Sequence, residues 1–344
     1  MMIKSFSKMI FTLLISSIGS VLFIYLSLPL PWLLGAIFAS SILMRFDNLP
    51  TKTPKPFSSP ARILIGLTIG GAFTPEILQF IDVYIFSLIL VIPFTIITII
   101  CGMYYYQKVL NFDKKTSFLS SMPGGVIEMV IIGEEIKADI SKITLVQSSR
   151  LLFIVISLPF IIQYIFNIDI SGNKVLTTPI ANVNISELAI LIIIGYIGAI
   201  SAKKLHISAA YLIGPMILSI LIHASGYMHT TIPDELLKFV QVVFGTIIGF
   251  TFKGVKLETI IKTLIATLGH FVILAIISST FITIVYFSFD FPLLSILLAF
   301  SPGGQAEINL IAILVAANIP YITLHHIVRL FIVMNIAPIF AKRL

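Results

Sequence analysis

The chain contains two copies of one residue pattern, placed 179 positions apart inside strongly apolar segments. Each copy has a Pro-Gly-Gly turn, a glutamate shortly after it and an arginine further along. The paired residues are Pro123, Gly124, Gly125, Glu128 and Arg150 in the first copy and Pro302, Gly303, Gly304, Glu307 and Arg329 in the second. Charged groups and helix-breaking residues are costly in lipid, so positions that repeat them are the first candidates for a functional site.

Composition assigns the chain to the polytopic membrane proteins. Hydrophobic residues make up 58% of the sequence and charged residues only 11%, whereas a soluble domain has about 25% charged residues. Spans of about 20 residues leave room for roughly ten helices joined by short loops. The expected fold class is therefore all-α, and any chemistry must take place within the helix bundle.

The sequence predicts neither a metal site nor an enzyme. The single Cys101 excludes an intramolecular disulfide and a cysteine-based zinc site, and the scattered histidines lack metal-ligand spacing. We therefore expect no cofactor. The basic residues are dispersed over short loops and form no basic recognition face, so nucleic acid is not expected as a partner.

The duplication divides the chain into a first membrane repeat at 1–166, an external linker at 167–186 and a second membrane repeat at 187–344. Each repeat has six apolar elements. The third element has a Gly-x-x-x-Gly spacing, at Gly66 and Gly70 or Gly245 and Gly249, which favours close packing of helix backbones. The fifth element contains the Pro-Gly-Gly turn, so we expect a broken or re-entrant helix there.

The distribution of lysine and arginine indicates the topology. If the fifth element enters and leaves the membrane on one side, each repeat has five transmembrane helices, and the second repeat is inverted relative to the first. Lys174 and Lys238 are then the only basic residues outside, in agreement with the positive-inside rule. The prediction is two inverted-topology repeats in the cell membrane, with both termini in the cytoplasm.

Inverted repeats with broken helices are typical of secondary transporters, in which half-helix ends face the substrate near the midplane. Ser121 and Ser301 stand just before the turns. The turns, these serines and the two arginines are predicted to bind substrate, because free N–H groups and guanidinium groups favour anions. His326, three residues before Arg329, could approach that arginine on a helix, and a neutral hydrogen-bonded state is favoured over a proton gate.

Two interpretations of Glu128 and Glu307 stay open. The carboxylates could neutralise Arg150 and Arg329 in a structural ion-pair network. Alternatively, a carboxyl group in a low-dielectric site could take up a proton and couple it to substrate movement. The repetition of the same acid beside the same chain break favours the second interpretation.

The two copies resemble the duplicated AbrB-type membrane protein family. The resemblance rests on the P-W-L-L-G-A stretch from Pro31 to Ala36, the Y-L-I-G-P stretch from Tyr211 to Pro215, and the paired turns with their Glu and Arg. It covers nearly the whole chain and implies the fold more firmly than the function. Members are labelled either as ammonia monooxygenases or as regulators, and the resemblance does not name a substrate.

Three functions are compatible with these sequence features. The leading hypothesis is a secondary transporter that moves a small polar or anionic solute by alternating access, with proton coupling as an option. The alternative is a membrane-embedded regulator or sensor that acts indirectly on gene expression. An oxygenase has the least support, because the histidines do not provide copper or iron ligands. The expected partners are a small-molecule or ion substrate and the lipid bilayer, and the sequence leaves open whether copies of the chain form a homo-oligomer.

Overall fold

A computed structural model describes residues 2–46, 48–74, 81–171, 178–341 and 343–344, and the side chains of residues 2–4, 81, 82, 127 and 128 lie outside this description. The described residues form fourteen α-helices and no strand. The first seven are α1 Met2–Tyr25, α2 Pro31–Leu43, α3 Ser58–Gly71, α4 Ile81–Lys108, α5 Lys114–Ser121, α6 Val126–Glu135 and α7 Ile140–Tyr164. The second seven are α8 Ile185–Lys204, α9 Ala210–Ala224, α10 Asp234–Gly249, α11 Leu257–Ser288, α12 Leu293–Ala299, α13 Gln305–Leu314 and α14 Ile319–Ala341.

The helices follow the duplication seen in the sequence. Each of α1–α7 has its counterpart 179 positions later in α8–α14, with ends that agree within a few residues. Unusual backbone conformations follow the same offset, because three pairs of non-glycine residues at equivalent positions have positive φ. These pairs are Ser27 and His206, Leu30 and Ala209, and Lys137 and Ala316. The duplication therefore extends from the sequence to the local geometry of the turns.

Seven of the helices that the structure describes are long and apolar enough to cross a bilayer, by length and composition. They are α1, α4, α7, α8, α10, α11 and α14. The other three predicted spans correspond to α2, α3 and α9, which have 13, 14 and 15 residues and are shorter than the 20 or so that a straight crossing needs. The seven long apolar helices suggest a multi-pass membrane protein, as the sequence predicts, and α2, α3 and α9 are too short for a straight crossing.

The fifth element of each repeat is broken, as predicted. In the first repeat α5 ends at Ser121 and α6 begins at Val126, and in the second α12 ends at Ala299 and α13 begins at Gln305. Proline has no N–H to donate and glycine has little helix propensity, so Pro-Gly-Gly interrupts the hydrogen-bond ladder of an otherwise apolar helix.

Internal contacts divide the chain into two compact units. The first unit comprises Met1–Ile81, Leu158–Lys253 and Asn309–Pro320, and the second comprises Asp82–Ser157, Gly254–Ile308 and Tyr321–Leu344. Each unit takes helices from both sequence repeats. The boundaries at 166 and 187, which describe the duplication, stay a prediction. Residues 172–177 of the predicted linker lie outside the described residues.

The first unit is built around close contacts between α3 and α9 and between α10 and α2. A Cβ atom added at Gly66 would overlap the carbonyl oxygen of Leu212, and one added at Gly245 would overlap that of Leu33. The next pair repeats this arrangement, with Gly70 against Ser219 and Gly249 against Ser40. The third element of each repeat thus packs on the second element of the other, which confirms the close approach predicted from the Gly-x-x-x-Gly spacing.

The second unit contains the breaks of both interrupted helices, and of α13 it includes only residues 305–308. A buried apolar cluster surrounds the first break and joins side chains from α4, α5, α6, α7 and α14. Leu119 and Met122 lie on one side of this break and Met129 on the other, and all three are fully buried. Because Leu119 and Met122 are fully buried, their carbonyl groups depend on partners within the protein.

Candidate functional site

Each break exposes the carbonyl groups at the C-terminal end of its first half-helix, which have no partner within the helix. In a buried environment an unpaired carbonyl costs about 1–3 kcal/mol. Residues 116–123 and 298–303, which lead into the two breaks, are buried in the second unit. The side chains that meet these carbonyl groups are therefore the primary determinants of the local structure.

Arg150 and Gln147 of α7 hold the first break. The Arg150 Nη1 group donates to the Met122 carbonyl oxygen over 2.9 Å, and Nη2 donates to Gln147 Oε1 over 2.6 Å. Gln147 Nε2 in turn donates to the carbonyl oxygens of Leu119 and Met122 over 2.7 and 3.1 Å. Arg150 is only 5% exposed and Gln147 1%. The carbonyl groups at the end of α5 are thus capped by side chains of α7.

Arg329 and His326 of α14 hold the second break in the same way. Arg329 Nη1 donates to the Ser301 carbonyl oxygen over 2.6 Å, and Nη2 donates to that of Gly303 over 2.8 Å. The same Nη2 group donates to His326 Nδ1 over 2.8 Å, and His326 Nε2 lies 3.0 Å from the Leu298 carbonyl oxygen.

These contacts define the state of His326. Nδ1 must accept because its partner is a guanidinium group, and Nε2 must donate because its partner is a carbonyl oxygen. The imidazole is therefore neutral, with its proton on Nε2. This agrees with the prediction that His326 approaches Arg329 as a neutral hydrogen-bonded residue.

The turn of each repeat also packs on the last helix of the other repeat. A Cβ atom added at Gly124 would lie 3.0 Å from Val333 Cγ1 of α14, and one added at Gly303 would lie 3.1 Å from Ile154 Cγ2 of α7. Val333 and Ile154 are themselves related by the 179 offset. Within the second unit, the two breaks are thus placed reciprocally against α7 and α14.

The arginines are therefore held by backbone carbonyls of their own repeat. Neutralisation by the glutamates, one of the two interpretations from the sequence, is not needed to explain how either guanidinium group is positioned. Both arginines belong to the second unit.

Glu307 is the third residue of α13, and a methyl group at Gly304 would overlap its carboxylate. A glutamate at this position of a helix can reach back towards the residue that precedes the helix. Its negative charge interacts favourably with the positive end of the helix dipole. Glu128 is the equivalent third residue of α6, but its side chain lies outside the described residues.

Each of the two predicted serines donates its hydroxyl hydrogen to a carbonyl group of the half-helix that precedes the break. Ser121 Oγ donates to the Phe118 carbonyl oxygen over 2.8 Å, and Ser301 Oγ donates to that of Leu297 over 2.7 Å. Both residues are buried. Only the lone pairs of the two hydroxyl groups are left to accept a further hydrogen bond.

Comparison with known proteins agrees with this architecture. A family model described as "Transition state regulatory protein AbrB" matches residues 32–344. The chain belongs to this AbrB family. It is 23% identical over 334 residues to "Putative regulator AbrB" of Escherichia coli (strain K12), which covers 96% of the chain and 93% of that protein.

A second relative of this AbrB-family chain is "Uncharacterized protein YhjN" of Bacillus subtilis (strain 168). It is 25% identical over 298 residues, which cover 82% of the chain and 77% of that protein. No solved structure matches the chain. The resemblance to the AbrB family inferred from the paired turns is confirmed.

Two buried polar groups of the second unit were missed by the sequence analysis. Tyr106 and His270 are fully buried, and the Tyr106 hydroxyl lies 2.7 Å from His270 Nδ1. Ser87 Oγ of α4 lies 2.6 Å from the Tyr321 hydroxyl and 2.7 Å from His325 Nε2. Neither group repeats at the 179 offset, so the duplication gave no signal for it.

His325 does not join Arg329, although helical spacing would have allowed it. Its Nδ1 group donates to the Tyr321 carbonyl oxygen over 2.7 Å, so Nε2 accepts from Ser87 and Ser87 accepts from the Tyr321 hydroxyl. The described residues contain no group of three or more His, Cys, Asp or Glu side chains arranged to hold a metal ion.

Proposed function

We propose that this protein is a secondary transporter for a small polar solute. The observation that supports this most directly is the pair of helix breaks in one compact unit, each held by a buried arginine of its own repeat. Broken helices at equivalent positions of two repeats form the binding site in many secondary transporters. A single buried break could be a packing feature, whereas a duplicated one with the same arginine supports a shared role.

The topology belongs to the same proposal. The two repeats are inverted relative to each other, each Pro-Gly-Gly element is re-entrant, and both termini lie in the cytoplasm. The positive-inside rule favours this arrangement over parallel repeats. The reciprocal contacts of α3 with α9 and of α10 with α2 in the first unit are the kind that a pseudo-two-fold relation between repeats produces. The chain is accordingly placed in the cell membrane.

Transport requires the binding site to open alternately to the two sides. The first unit, with glycine-mediated helix contacts, is suited to act as a rigid framework, since backbone contacts of this kind leave no room for sliding. The second unit contains the breaks and the buried polar groups, and we propose that it holds the solute. Proton coupling through Glu128 and Glu307 is retained as part of this proposal.

Flux in a purified system tests the proposal. The protein is reconstituted into liposomes and offered radiolabelled amino acids, carboxamides, monocarboxylates and dicarboxylates. We expect at least one class to enter faster than into protein-free liposomes, and Arg329→Lys to reduce that rate because lysine cannot form the forked contacts. Absence of flux for a solute that demonstrably binds the protein would overturn the transporter proposal.

A membrane-embedded regulator is the second candidate. It is favoured by the description of the family model and by the name of the Escherichia coli relative. A regulator would bind its solute without moving it. The combination of solute-dependent thermal stabilisation with zero flux in liposomes would therefore support this alternative.

A further inference from the structure

Gln305 is a half-buried residue whose side-chain amide group is shielded from solvent. It is the first residue of α13, directly after the second Pro-Gly-Gly turn. Neither its amide nitrogen nor its amide oxygen has a hydrogen-bond partner among the residues that the structure describes. A buried primary amide in this state loses its hydration without compensation, at a cost of about 1–3 kcal/mol for each unpaired group. Such exceptions in a folded protein require an explanation.

Comparison of the repeats shows that the fold does not need this amide. The equivalent position in the first repeat is Val126, which likewise begins the second half-helix, α6. A valine satisfies the backbone requirements of this position without any polar group. The glutamine is therefore a feature of one break only, and a ligand that completes its hydrogen bonds is a physical explanation for it.

The charges next to Gln305 are of both signs. The carbonyl oxygen of Gly303, two residues earlier, accepts from Arg329, and the carboxylate of Glu307 lies against Gly304. A fully anionic solute would gain from the arginine but would be repelled by the carboxylate. An uncharged polar group avoids both the repulsion and the desolvation cost of a net charge.

The geometry of a primary amide limits what it can bind with both ends. It presents one acceptor and two N–H donors side by side. The matching group presents a donor and an acceptor in the same plane, as another carboxamide does, and forms two parallel hydrogen bonds with it. A carboxylate can only accept, so it would leave the Gln305 oxygen without a partner.

We propose that Gln305 recognises the transported solute and that this solute carries a carboxamide or an equivalent lactam or urea edge. The inference rests on the transporter proposal and adds the substrate class to it. The second repeat then supplies selectivity, while both repeats supply the arginine-held breaks.

Thermal stabilisation of the purified full chain tests this with matched pairs of compounds. The probes are glutamine against glutamate and nicotinamide against nicotinate, which differ by carboxamide versus carboxylate. We expect the amide of at least one pair to bind about tenfold more tightly than its acid, as one additional hydrogen bond to a buried partner can provide. Gln305→Val, which copies the first repeat, should remove this preference.

Controls separate folding from recognition. Val126→Gln, the reciprocal change, should keep the amide preference, because the original Gln305 is still present. Gln305→Glu keeps the shape and should reverse or abolish the preference even if the valine variant folds poorly. Binding of acids as tightly as amides, binding of neither, or an unchanged preference in the folded Gln305 variants would overturn the inference.

Failure of the Gln305 inference and failure of the transporter proposal give different results. Flux of a carboxylate into liposomes without any amide preference would overturn the role of Gln305 and leave transport in place. Amide-dependent stabilisation that is lost in Gln305→Val, with no flux of that amide, would overturn transport and retain Gln305 as a binding residue.

Discussion

The two helix breaks of the second unit are held by the same arrangement of hydrogen bonds, made by different side chains. In the first break Gln147 bridges Arg150 and the Leu119 carbonyl, and in the second His326 bridges Arg329 and the Leu298 carbonyl. Glutamine and neutral histidine are equivalent here because each offers one donor and one acceptor. The comparison teaches that the arginine and its carbonyl partners are the constant part of the structure, whereas the bridging residue can vary.

The largest predicted effect comes from removing a guanidinium group. Arg329 donates hydrogen bonds to two carbonyl groups and Arg150 to one. Arg329→Ala should therefore lower the free energy of unfolding by about 3 kcal/mol and Arg150→Ala by about 2 kcal/mol. Unfolding in mixed micelles by SDS titration measures both. Equal and small effects, below about 0.5 kcal/mol, would show that the arginines do not hold the breaks.

Exchange of the bridging residues sharpens the comparison. His326→Leu would leave the Leu298 carbonyl and one N–H of Arg329 unpaired, at a cost of about 2 kcal/mol. His326→Gln copies the first break and should cost less than half as much. It should also leave the pH dependence of flux unchanged, since the imidazole is neutral and both of its nitrogens are engaged. A pH profile that shifts in His326→Gln would instead support a proton-gating role.

Close packing of helices in the first unit predicts a loss of stability that is no larger than that of the arginine and histidine variants. Gly66→Ala would push a methyl group into the Leu212 carbonyl and should cost about 1–3 kcal/mol. Gly71→Ala is the matched control in the same helix, because the nearest atom to its Cβ would be His223 Nε2 at 3.4 Å. Thermal unfolding should show a loss for Gly66→Ala and none for Gly71→Ala. Equal midpoints for the two variants would contradict the packing account.

The smallest effect on stability is expected at the carboxylates. Glu307→Gln removes a charge from the first turn of α13 and should lower the free energy of unfolding by only about 0.5 kcal/mol. Its effect on function should be larger, because the proton-coupling proposal predicts that flux loses its pH dependence in the Glu128→Gln, Glu307→Gln double variant. If pH-dependent uptake persists in that double variant while the fold is retained, coupling through these residues is abandoned.

Much of the architecture was predictable because it is repeated. The offset of 179 positions located the broken helices, the close Gly-x-x-x-Gly contacts and the buried arginines without any structure. The partners of the arginines were not predictable in the same way. Sequence shows charged side chains but not unpaired carbonyls, so Glu128 and Glu307 were the visible candidates, whereas the Met122, Ser301 and Gly303 carbonyls accept the hydrogen bonds.

Gln305 was missed although the signal was present in the sequence. It stands opposite Val126 at the 179 offset, and a pattern of residues shared by both repeats does not include such a position. Differences between repeats show where one copy has acquired a role that the other lacks. The Ser87, Tyr321 and His325 group could not have been found from sequence, because it joins α4 to α14 through contacts distant in the chain.

The orientation of the repeats is the central claim of this account, and labelling of two equivalent positions tests it most directly. Lys108 and Phe287 lie 179 positions apart near the ends of α4 and α11, and both are exposed. Each is changed to cysteine in a Cys101→Ser background and treated in intact cells with a membrane-impermeant maleimide. Inverted repeats predict that Phe287→Cys is labelled in intact cells and Lys108→Cys only after permeabilisation. Labelling of both variants from the same side would contradict the account.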